Sequence, residues 1–314
     1  MSHRDFDLLA VGDLCPDLIL TGDVTPAFGQ VEKLIEAATL TVGGSTTIFA
    51  CGAARLGLRT VFSGVAGDDE FGAFMQRSLA ARGVAMDGLA IDSTLSTGLS
   101  VHLSRGSDRA ILTYSGSIAG LRFSHLDLSL LSRVRHLHLG SYFLLDGLRP
   151  DVPELFERAH ALGVTTSLDT NYDPAERWDS GLLRVLSRTD VFFPNEIEAC
   201  AITGARDPRA ALAALAQLVP TVALKLGAAG SMVRQGDLEV STAALSAPVI
   251  DSTGAGDTFD AGFLYGWLHK WPLDRCLRLA NACGSLATRK AGGVDSQPTL
   301  AEALVAAGLQ SEPG

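Results

Sequence analysis

Short runs rich in β-branched residues alternate along this chain with Ala- and Leu-rich stretches of helical length. Strands are predicted at 6–12, 60–65, 134–139, 165–169, 191–194, 222–226 and 231–234. Helices are predicted at 46–56, 70–82, 152–162, 181–186, 208–218, 255–268 and 273–290. This order is typical of a parallel sheet covered by helices, which places the chain in the α/β class.

Two segments interrupt the alternation, at about 14–41 and about 96–118, where short strands follow one another without helices between them. The runs 97–103 and 110–114 flank the turn-forming residues 105–108, which predicts a hairpin. We therefore expect a small β-sheet lid, built from separated pieces and inserted in a single domain that covers 1–314.

Charge and composition restrict the partners. The chain has 314 residues, of which 47% are hydrophobic, and a formal net charge of −10. No basic run stands out, which argues against nucleic acid as a partner. An acidic protein that binds phosphate must therefore do so locally, through backbone N–H groups, a helix N-terminus or a bound cation.

The five cysteines form no C-x-x-C pair, and the first residues are polar without an apolar run behind them. These features predict reduced thiols and no signal peptide. No apolar stretch reaches the ~18 residues that a membrane span needs. We expect a cytoplasmic protein without a membrane partner.

The most informative string is the one at 251–262, DSTGAGDTFDAG. Gly254 and Gly256 allow a sharp turn and close approach to a ligand, and the apolar residues that follow mark the start of a helix. The N–H groups of that first turn are free to hold an anion. Beside such a site Asp257 is better suited to accept a proton from an attacking hydroxyl than to cap the helix. The alternative is an ordinary glycine-rich turn with a capping Asp.

This string resembles the second signature of the ribokinase/pfkB family of carbohydrate and nucleoside kinases. Further motifs follow in the order typical of the family: Gly43-Gly44, 50–57, 64–72, Asn195-Glu196-Ile197-Glu198, and Lys225-Leu226-Gly227 with Gly230. The resemblance implies a ribokinase-like three-layer α/β/α sandwich with a mostly parallel central sheet. It also implies ATP-dependent phosphorylation of a hydroxyl on a small sugar. The alternatives are a nucleoside kinase and a sugar-binding regulatory protein that has lost catalysis.

The resemblance assigns roles around the helix start. Asp257 would be the general base, and the N–H groups of Gly254, Ala255, Gly256 and Asp257 would form the anion hole. Asp251, Thr253 and Ser296 match the positions of a monovalent cation site, for which K⁺ is the expected ion.

On the nucleotide side, the family pattern places Lys225, Gly227, Gly230 and Asn281 along ATP. Lys225 could instead extend to solvent, and Asn281 could be satisfied by its neighbours. Asn195 and Glu198 would place Mg²⁺ through water, although the same residues also suit a helix N-terminus.

On the sugar side, Asp17 and Asp13 are candidate acceptors of substrate hydroxyls, because one carboxylate can accept two such hydrogen bonds. Gly43 and Gly44 belong to the same side, and Thr47 could offer a hydroxyl. The alternative for Asp17 is a turn carboxylate beside Pro16.

The chain departs from the family pattern at Ile48 and Ile118, where an Asn is usual. Isoleucine cannot hydrogen-bond, so these positions predict a drier pocket and an acceptor other than ribose in its usual pose. Asp173 stands where some sugar-acid kinases have Arg, which argues against a carboxylate-bearing acceptor. Exposed lid strands also suggest a homodimer through the lid.

Overall fold

The computed structural model of the protein describes residues 4–105 and 108–310. Residues 1–3, which belong to the stretch used above to predict the absence of a signal peptide, lie outside these ranges. Residues 106–107, which belong to the predicted turn at 105–108, lie outside them as well. The strands are β1 (Leu8–Val11), β2 (Cys15–Thr21), β3 (Ala37–Gly43), β4 (Thr60–Ala66), β5 (Ala85–Ile91), β6 (Leu99–Arg105), β7 (Asp108–Tyr114), β8 (His136–Leu139), β9 (Thr165–Leu168), β10 (Val191–Phe192), β11 (Thr221–Lys225), β12 (Ser231–Gln235) and β13 (Leu238–Thr242).

The α-helices include several of only one or two turns. They are α1 (Ser45–Arg55), α2 (Glu70–Ala80), α3 (Ser117–Gly120), α4 (Val152–Ala161), α5 (Leu182–Leu186), α6 (Glu196–Thr203), α7 (Pro208–Leu215), α8 (Ala255–Leu268), α9 (Leu273–Ala287) and α10 (Leu300–Ala306).

Nine strands form one large sheet in the order β13-β12-β11-β10-β9-β8-β1-β4-β5. The pairs from β11 to β5 are parallel, and β12 and β13 continue the sheet antiparallel at one edge. The strand β1 is buried along its whole length, as the strands of parallel sheets covered on both faces are. The predicted α/β architecture is confirmed.

The large sheet separates two hydrophobic cores. Leu8 and Ala10 of β1 belong to one core, and Leu9 and Val11 belong to the other, because successive side chains of a strand point to opposite faces. Helices α8 and α9 pack into the first core, and α4 and α7 pack into the second. The result is the expected three-layer sandwich.

A separate four-stranded sheet has the order β3-β2-β6-β7. β2 pairs antiparallel with β3 and parallel with β6, and β6 and β7 form the predicted hairpin, in which Leu99 lies opposite Tyr114. Its strands come from the two segments that interrupt the α/β alternation, so the predicted small sheet is confirmed. We refer to β3-β2-β6-β7 as the lid sheet.

Some elements were not predicted. The strands β5 and β13 and the helices α3, α6 and α10 are absent from the sequence-based list, and α9 ends at Ala287 rather than at 290. β5 has a mixed burial pattern and a register shift against β4, so its residues show neither clean alternation nor a continuous apolar run. Within the described ranges, no helix is both long and apolar enough to cross a bilayer.

Candidate active site

A cavity of about 1080 Å³ lies between the lid sheet and the carboxyl ends of strands in the large sheet. Open α/β sheets generally bind ligands at this edge. The wall includes residues at or just beyond strand ends of the large sheet, namely Asp13, Asp169, Asn195 and Lys225, and residues of the lid sheet, namely Asp17, Ser100, His102, Arg109 and Thr113. We call this space the lid-side cavity.

Asp257 lies on the wall of the lid-side cavity, in the first turn of α8. The helix begins after Gly254, whose φ of 73° is in the left-handed region. A Cβ at Gly254 would lie 2.8 Å from the Cα of Gly293 and 2.8 Å from Cγ2 of Ile48, so only glycine fits there. The tight turn therefore sets where the Asp257 carboxylate enters the cavity.

The carboxylate of Asp257 accepts a hydrogen bond from the hydroxyl of Ser45, at the start of α1. Burial raises the pKa of Asp257 to about 7, and the nearby negative charge of Asp169 adds to the effect. A carboxylate with a pKa near neutrality is matched to proton transfer at physiological pH.

One of the N–H groups predicted to form the anion hole is already engaged by the chain. Ala255 donates its N–H to the carbonyl of Ser252 at 3.3 Å. Gly256 and Asp257 follow it in the first turn, where N–H groups have no acceptor within the helix. The positive end of the helix dipole points to the same place.

Lys225 reaches the helix start from the end of β11 and does not extend to solvent. Its Nζ donates to Oδ2 of Asp169 at 2.6 Å and to both carboxylate oxygens of Asp260 at 3.2 Å. Burial alone would lower the pKa of Lys225, but the charges of Asp169 and Asp260 raise it well above its usual value. A Cβ on Gly256 would lie 3.5 Å from Nζ, so the ammonium group is adjacent to the predicted anion hole.

A second cavity of about 510 Å³ lies on the other side of this point. Its wall includes Gly227, Gly230 and Asn281 together with apolar and small residues such as Leu245, Ala247, Val249 and Phe259. It shares Lys225, Gly227 and Gly256 with the lid-side cavity. We call it the nucleotide-side cleft, and the two spaces meet at the start of α8.

Asn281 lines this cleft, and both polar atoms of its side chain already have hydrogen-bond partners within the chain. Its side-chain amide donates to the carbonyls of Thr242 at 3.1 Å and Ala243 at 3.2 Å, and its Oδ1 accepts from the hydroxyl of Ser231 at 3.0 Å. Asn281 thus holds the segment after β13 against α9 and shapes the wall of the cleft.

Asn195 and Glu198 form a capping box at the start of α6. The Asn195 N–H and Nδ2 donate to the two oxygens of Glu198 at 2.9 and 2.7 Å, and the Glu198 N–H donates to Oδ1 of Asn195 at 2.9 Å. Both residues also line the lid-side cavity. Burial raises the pKa of Glu198 to about 7, and the charge of Asp169 adds to the effect. Oxygen donors in this acidic setting fit a hydrated Mg²⁺ ion.

Asp17, on β2, faces the lid-side cavity. Its Oδ2 lies 3.3 Å from Nε2 of His102, on the neighbouring strand β6. A Cβ at Gly43 would lie only 1.9 Å from Oδ1 of Asp17, so the glycine makes room for the carboxylate. Asp17 therefore belongs to a strand and a buried pair, and is not a simple turn residue.

Asp13 lines the same cavity but is engaged with the start of α1. Its Oδ2 accepts from the N–H of Ser45 at 3.0 Å, and its Oδ1 accepts from the N–H of Thr46 at 2.9 Å and from the Thr46 hydroxyl at 2.6 Å. Burial raises the pKa of Asp13 above its usual range despite these hydrogen bonds. Asp13 joins β1 to α1 beside Gly44, the residue that precedes this helix.

The interpretation of Thr47 as a substrate residue is corrected. Thr47 is completely buried, and its hydroxyl donates to the carbonyls of Gly43 and Gly44. The hydroxyl is used inside the first turn of α1, as is common for Thr within helices. The hydroxyl that faces the cavity belongs instead to Ser45.

The predicted monovalent cation ligands do not fit a free ion in this arrangement. Asp251 and Thr253 hydrogen-bond to each other, and Arg109 of the lid sheet donates to both. The hydroxyl of Ser296 donates to the carbonyl of Ala287. The side-chain oxygens proposed for K⁺ are therefore already engaged by hydrogen-bond partners of the chain.

The prediction of an acceptor pocket drier than a ribose pocket stays a prediction. Ile48 and Ile118 line the lid-side cavity, together with many polar or charged side chains. Ser100, His102, Arg109 and Thr113, from the inner face of the lid sheet, supply this polarity. Sequence reasoning missed them, together with Ser45. The available signals were the position of Ser45 directly after Gly43-Gly44 and the period-2 spacing on β6 and β7.

Residues 5–300 match the family model described as pfkB family carbohydrate kinase. The chain belongs to the pfkB family of carbohydrate kinases. The resemblance seen in the sequence is thereby confirmed, and the protein is a carbohydrate kinase by family.

Individual relatives agree with this membership. The kinase is 30% identical over 247 residues to an uncharacterized sugar kinase of Archaeoglobus fulgidus, covering 79% of this chain and 98% of the relative. It is 28% identical to a 5-dehydro-2-deoxygluconokinase of Geobacillus kaustophilus, covering 96% and 93%. A candidate ribokinase II from E. coli, solved with ATP and Mg²⁺, shares the fold with a TM-score of 0.84 at 24% identity, covering 96% and 98% of the two chains.

Proposed function

We propose that this kinase transfers the γ-phosphoryl group of ATP to a hydroxyl of a small sugar-like acceptor, with Asp257 as the general base. The observation that carries the proposal is the position of the Asp257 carboxylate, on the cavity wall beside the junction of the two cavities. The acceptor would occupy the lid-side cavity and ATP the nucleotide-side cleft. The γ-phosphate would then lie at the start of α8.

In this mechanism Asp257 accepts the proton of the acceptor hydroxyl as its oxygen bonds to the γ-phosphorus. The bond between that phosphorus and the β,γ-bridging oxygen breaks, and ADP leaves with the bond's electron pair. The N–H groups of Gly256 and Asp257 and the ammonium of Lys225 stabilise charge on the transferred group.

Asn195 and Glu198 are the residues that would hold Mg²⁺ through water, and the ion would offset phosphate charge. The E. coli relative solved with ATP and Mg²⁺ supports this cofactor pair. In this proposal Glu198 has a second role besides capping α6. Its position on the wall of the lid-side cavity supports that role.

The polar inner face of the lid sheet favours a polyhydroxylated sugar over a nucleoside, because a nucleobase prefers apolar walls. A carboxylate-bearing sugar also belongs in the panel of acceptors. Asp173 does not oppose it, because its carboxylate accepts the N–H groups of Ala175, Arg177 and Trp178 within its own loop. The 5-dehydro-2-deoxygluconokinase relative points the same way. A competition assay with fructose, ribose, sugar acids and nucleosides would identify the acceptor class.

Replacing Asp257 by Asn tests the base directly. We expect turnover to fall by ~10³-fold or more while ATP binding persists, because positioning survives and proton acceptance does not. Asp274→Asn is the matched control, since Asp274 also lies in the first turn of a helix but is exposed and outside both cavities. Near-normal turnover in Asp257→Asn would refute the assignment. Absence of turnover in the unmodified chain with every acceptor would favour the regulatory alternative.

We also propose a homodimer through the outer face of the lid sheet. Leu40, Leu112 and Tyr114 are exposed by 40%, 61% and 59%, respectively. A lone sheet with apolar side chains and free edges gains from pairing with a second copy. Light scattering should give twice the chain mass, and Leu112→Lys should restore the mass of one chain.

A further inference from the structure

Arg109 extends from the lid strand β7 to the segment that precedes the anion hole. One of its guanidinium nitrogens, Nη1, donates to Oδ1 of Asp251 at 2.9 Å and to the hydroxyl oxygen of Thr253 at 2.7 Å. The lid sheet thereby places a fixed positive charge one residue from Gly254, where α8 begins.

The Asp251 carboxylate is the centre of this contact. Its Oδ1 also accepts from the N–H of Thr253 at 2.9 Å and from the Thr253 hydroxyl at 2.8 Å, and its Oδ2 accepts from the N–H of Gly292 at 2.9 Å. The guanidinium of Arg109, at 2.9 Å from Oδ1, is the cation that faces this carboxylate.

An unbalanced carboxylate here would oppose the binding of phosphate at the neighbouring helix start. A cation at Asp251 and Thr253 removes that repulsion. Arginine can do this permanently, because its guanidinium stays charged and its planar donors match oxygen acceptors. Both residues belong to the set that the family resemblance assigns to a monovalent cation.

We propose that Arg109 is a positioning residue that acts as the built-in cation of this site, so that the kinase does not require a monovalent metal ion. The proposal rests on the proposed function of the helix start. Arg109 balances Asp251, holds Thr253 in place, and supplies the positive charge from the acceptor side of the active site.

The experiment compares the unmodified chain, Arg109→Gln and Arg105→Gln in buffers whose monovalent cation is K⁺, Na⁺ or tetramethylammonium. Arg105→Gln is the matched control, since Arg105 lies on β6 of the same hairpin and contacts Thr25 at 3.4 Å, outside both cavities. We expect turnover of the unmodified chain to differ by less than about 2-fold among the cations. The turnover of Arg109→Gln should fall by about 10-fold or more in tetramethylammonium. It should recover in K⁺, because the Asp251 oxygens that Arg109 contacts become available to the ion.

A second readout does not depend on turnover. The melting temperature of Arg109→Gln should rise in K⁺ relative to tetramethylammonium, whereas that of the unmodified chain and of Arg105→Gln should not. These melting curves test the cation role even if no acceptor is phosphorylated, which separates it from a failure of the proposed function.

Three results would overturn the proposal. The first is a requirement of the unmodified chain for K⁺. The second is an Arg109→Gln variant that behaves like Arg105→Gln in both readouts. The third is a loss in Arg109→Gln that no cation restores.

Discussion

The lid-side cavity and the nucleotide-side cleft meet at the start of α8 but are lined by different kinds of residues. The lid-side cavity is lined by ionisable side chains from both sheets, including Asp17 and Arg109 of the lid sheet and Lys225 of the large sheet. The nucleotide-side cleft is lined mostly by small and apolar residues and by glycines of the chain around 227–230. We therefore expect the lid-side cavity to recognise its ligand through charge and hydroxyl contacts, and the nucleotide-side cleft to recognise its ligand through shape.

This difference predicts where substitutions act. A substitution in the lid-side cavity should weaken binding of the acceptor and leave ATP binding intact, because each polar side chain there makes specific hydrogen bonds. A change in the nucleotide-side cleft should affect ATP more weakly, because many small contacts share the binding.

Asp17→Asn should give the largest difference between the effect on the acceptor and the effect on ATP. We expect kcat/KM for the acceptor to fall by about 10²-fold, because an amide is a weaker acceptor of two hydroxyl hydrogen bonds than a carboxylate. KM for ATP should stay the same. Asp23→Asn is the control, since this carboxylate lies just after β2, is exposed and pairs with Lys33 at 2.6 Å. An equal change in KM for ATP would break the comparison.

Ser45→Ala should shift the pH profile. The proposed general base, Asp257, must be ionised to accept a proton, and burial raises its pKa to about 7, so kcat/KM should fall as the pH drops below about 7. Removing the Ser45 hydroxyl deletes a hydrogen bond that lowers this pKa, so the acidic limb should move up by about one pH unit.

The same variant should lose about 10-fold in kcat/KM at pH values below this limb, because less Asp257 is ionised. Ser252→Ala, an exposed hydroxyl on the nucleotide side, should leave the limb in place. Glu198 also has a pKa raised to about 7 but does not hydrogen-bond Ser45. If the acidic limb does not move in Ser45→Ala, the limb should be assigned to Glu198 rather than to Asp257.

Asn281→Ala should give the smallest effect, and this effect should fall on ATP rather than on the acceptor. We expect KM for ATP to rise by about 5-fold, because the cleft wall loses hydrogen bonds to Thr242 and Ala243 that hold its shape. KM for the acceptor should not change. Asn171→Gly, in the lid-side cavity, is the counterpart and should raise KM for the acceptor alone. Parallel changes in both constants would contradict two independent recognition surfaces.

The sequence predicted much of the fold, because the alternation of strands and helices and the two β-rich interruptions follow local periodicity. It also predicted the start of α8, since the glycines at 254 and 256 and the apolar residues behind them form one continuous string. The interpretation of Thr47 was wrong, because whether a hydroxyl faces a ligand or its own helix depends on a rotamer that spacing does not set. The polar residues that share the cavity with Ile48 were missed for a related reason, since they come from β6 and β7, far along the chain from Ile48.

The chain by itself determined where a glycine-lined helix start and a carboxylate would stand together, because both lie within a few residues and obey local geometry. Only the tertiary structure decided what surrounds that carboxylate. Arg109 meets Asp251 across 142 residues, and Lys225 meets Asp260 across 35. Such pairs depend on how the lid sheet and the large sheet pack together. Burial by that packing, which no local pattern encodes, raises the pKa of Asp257 to about 7.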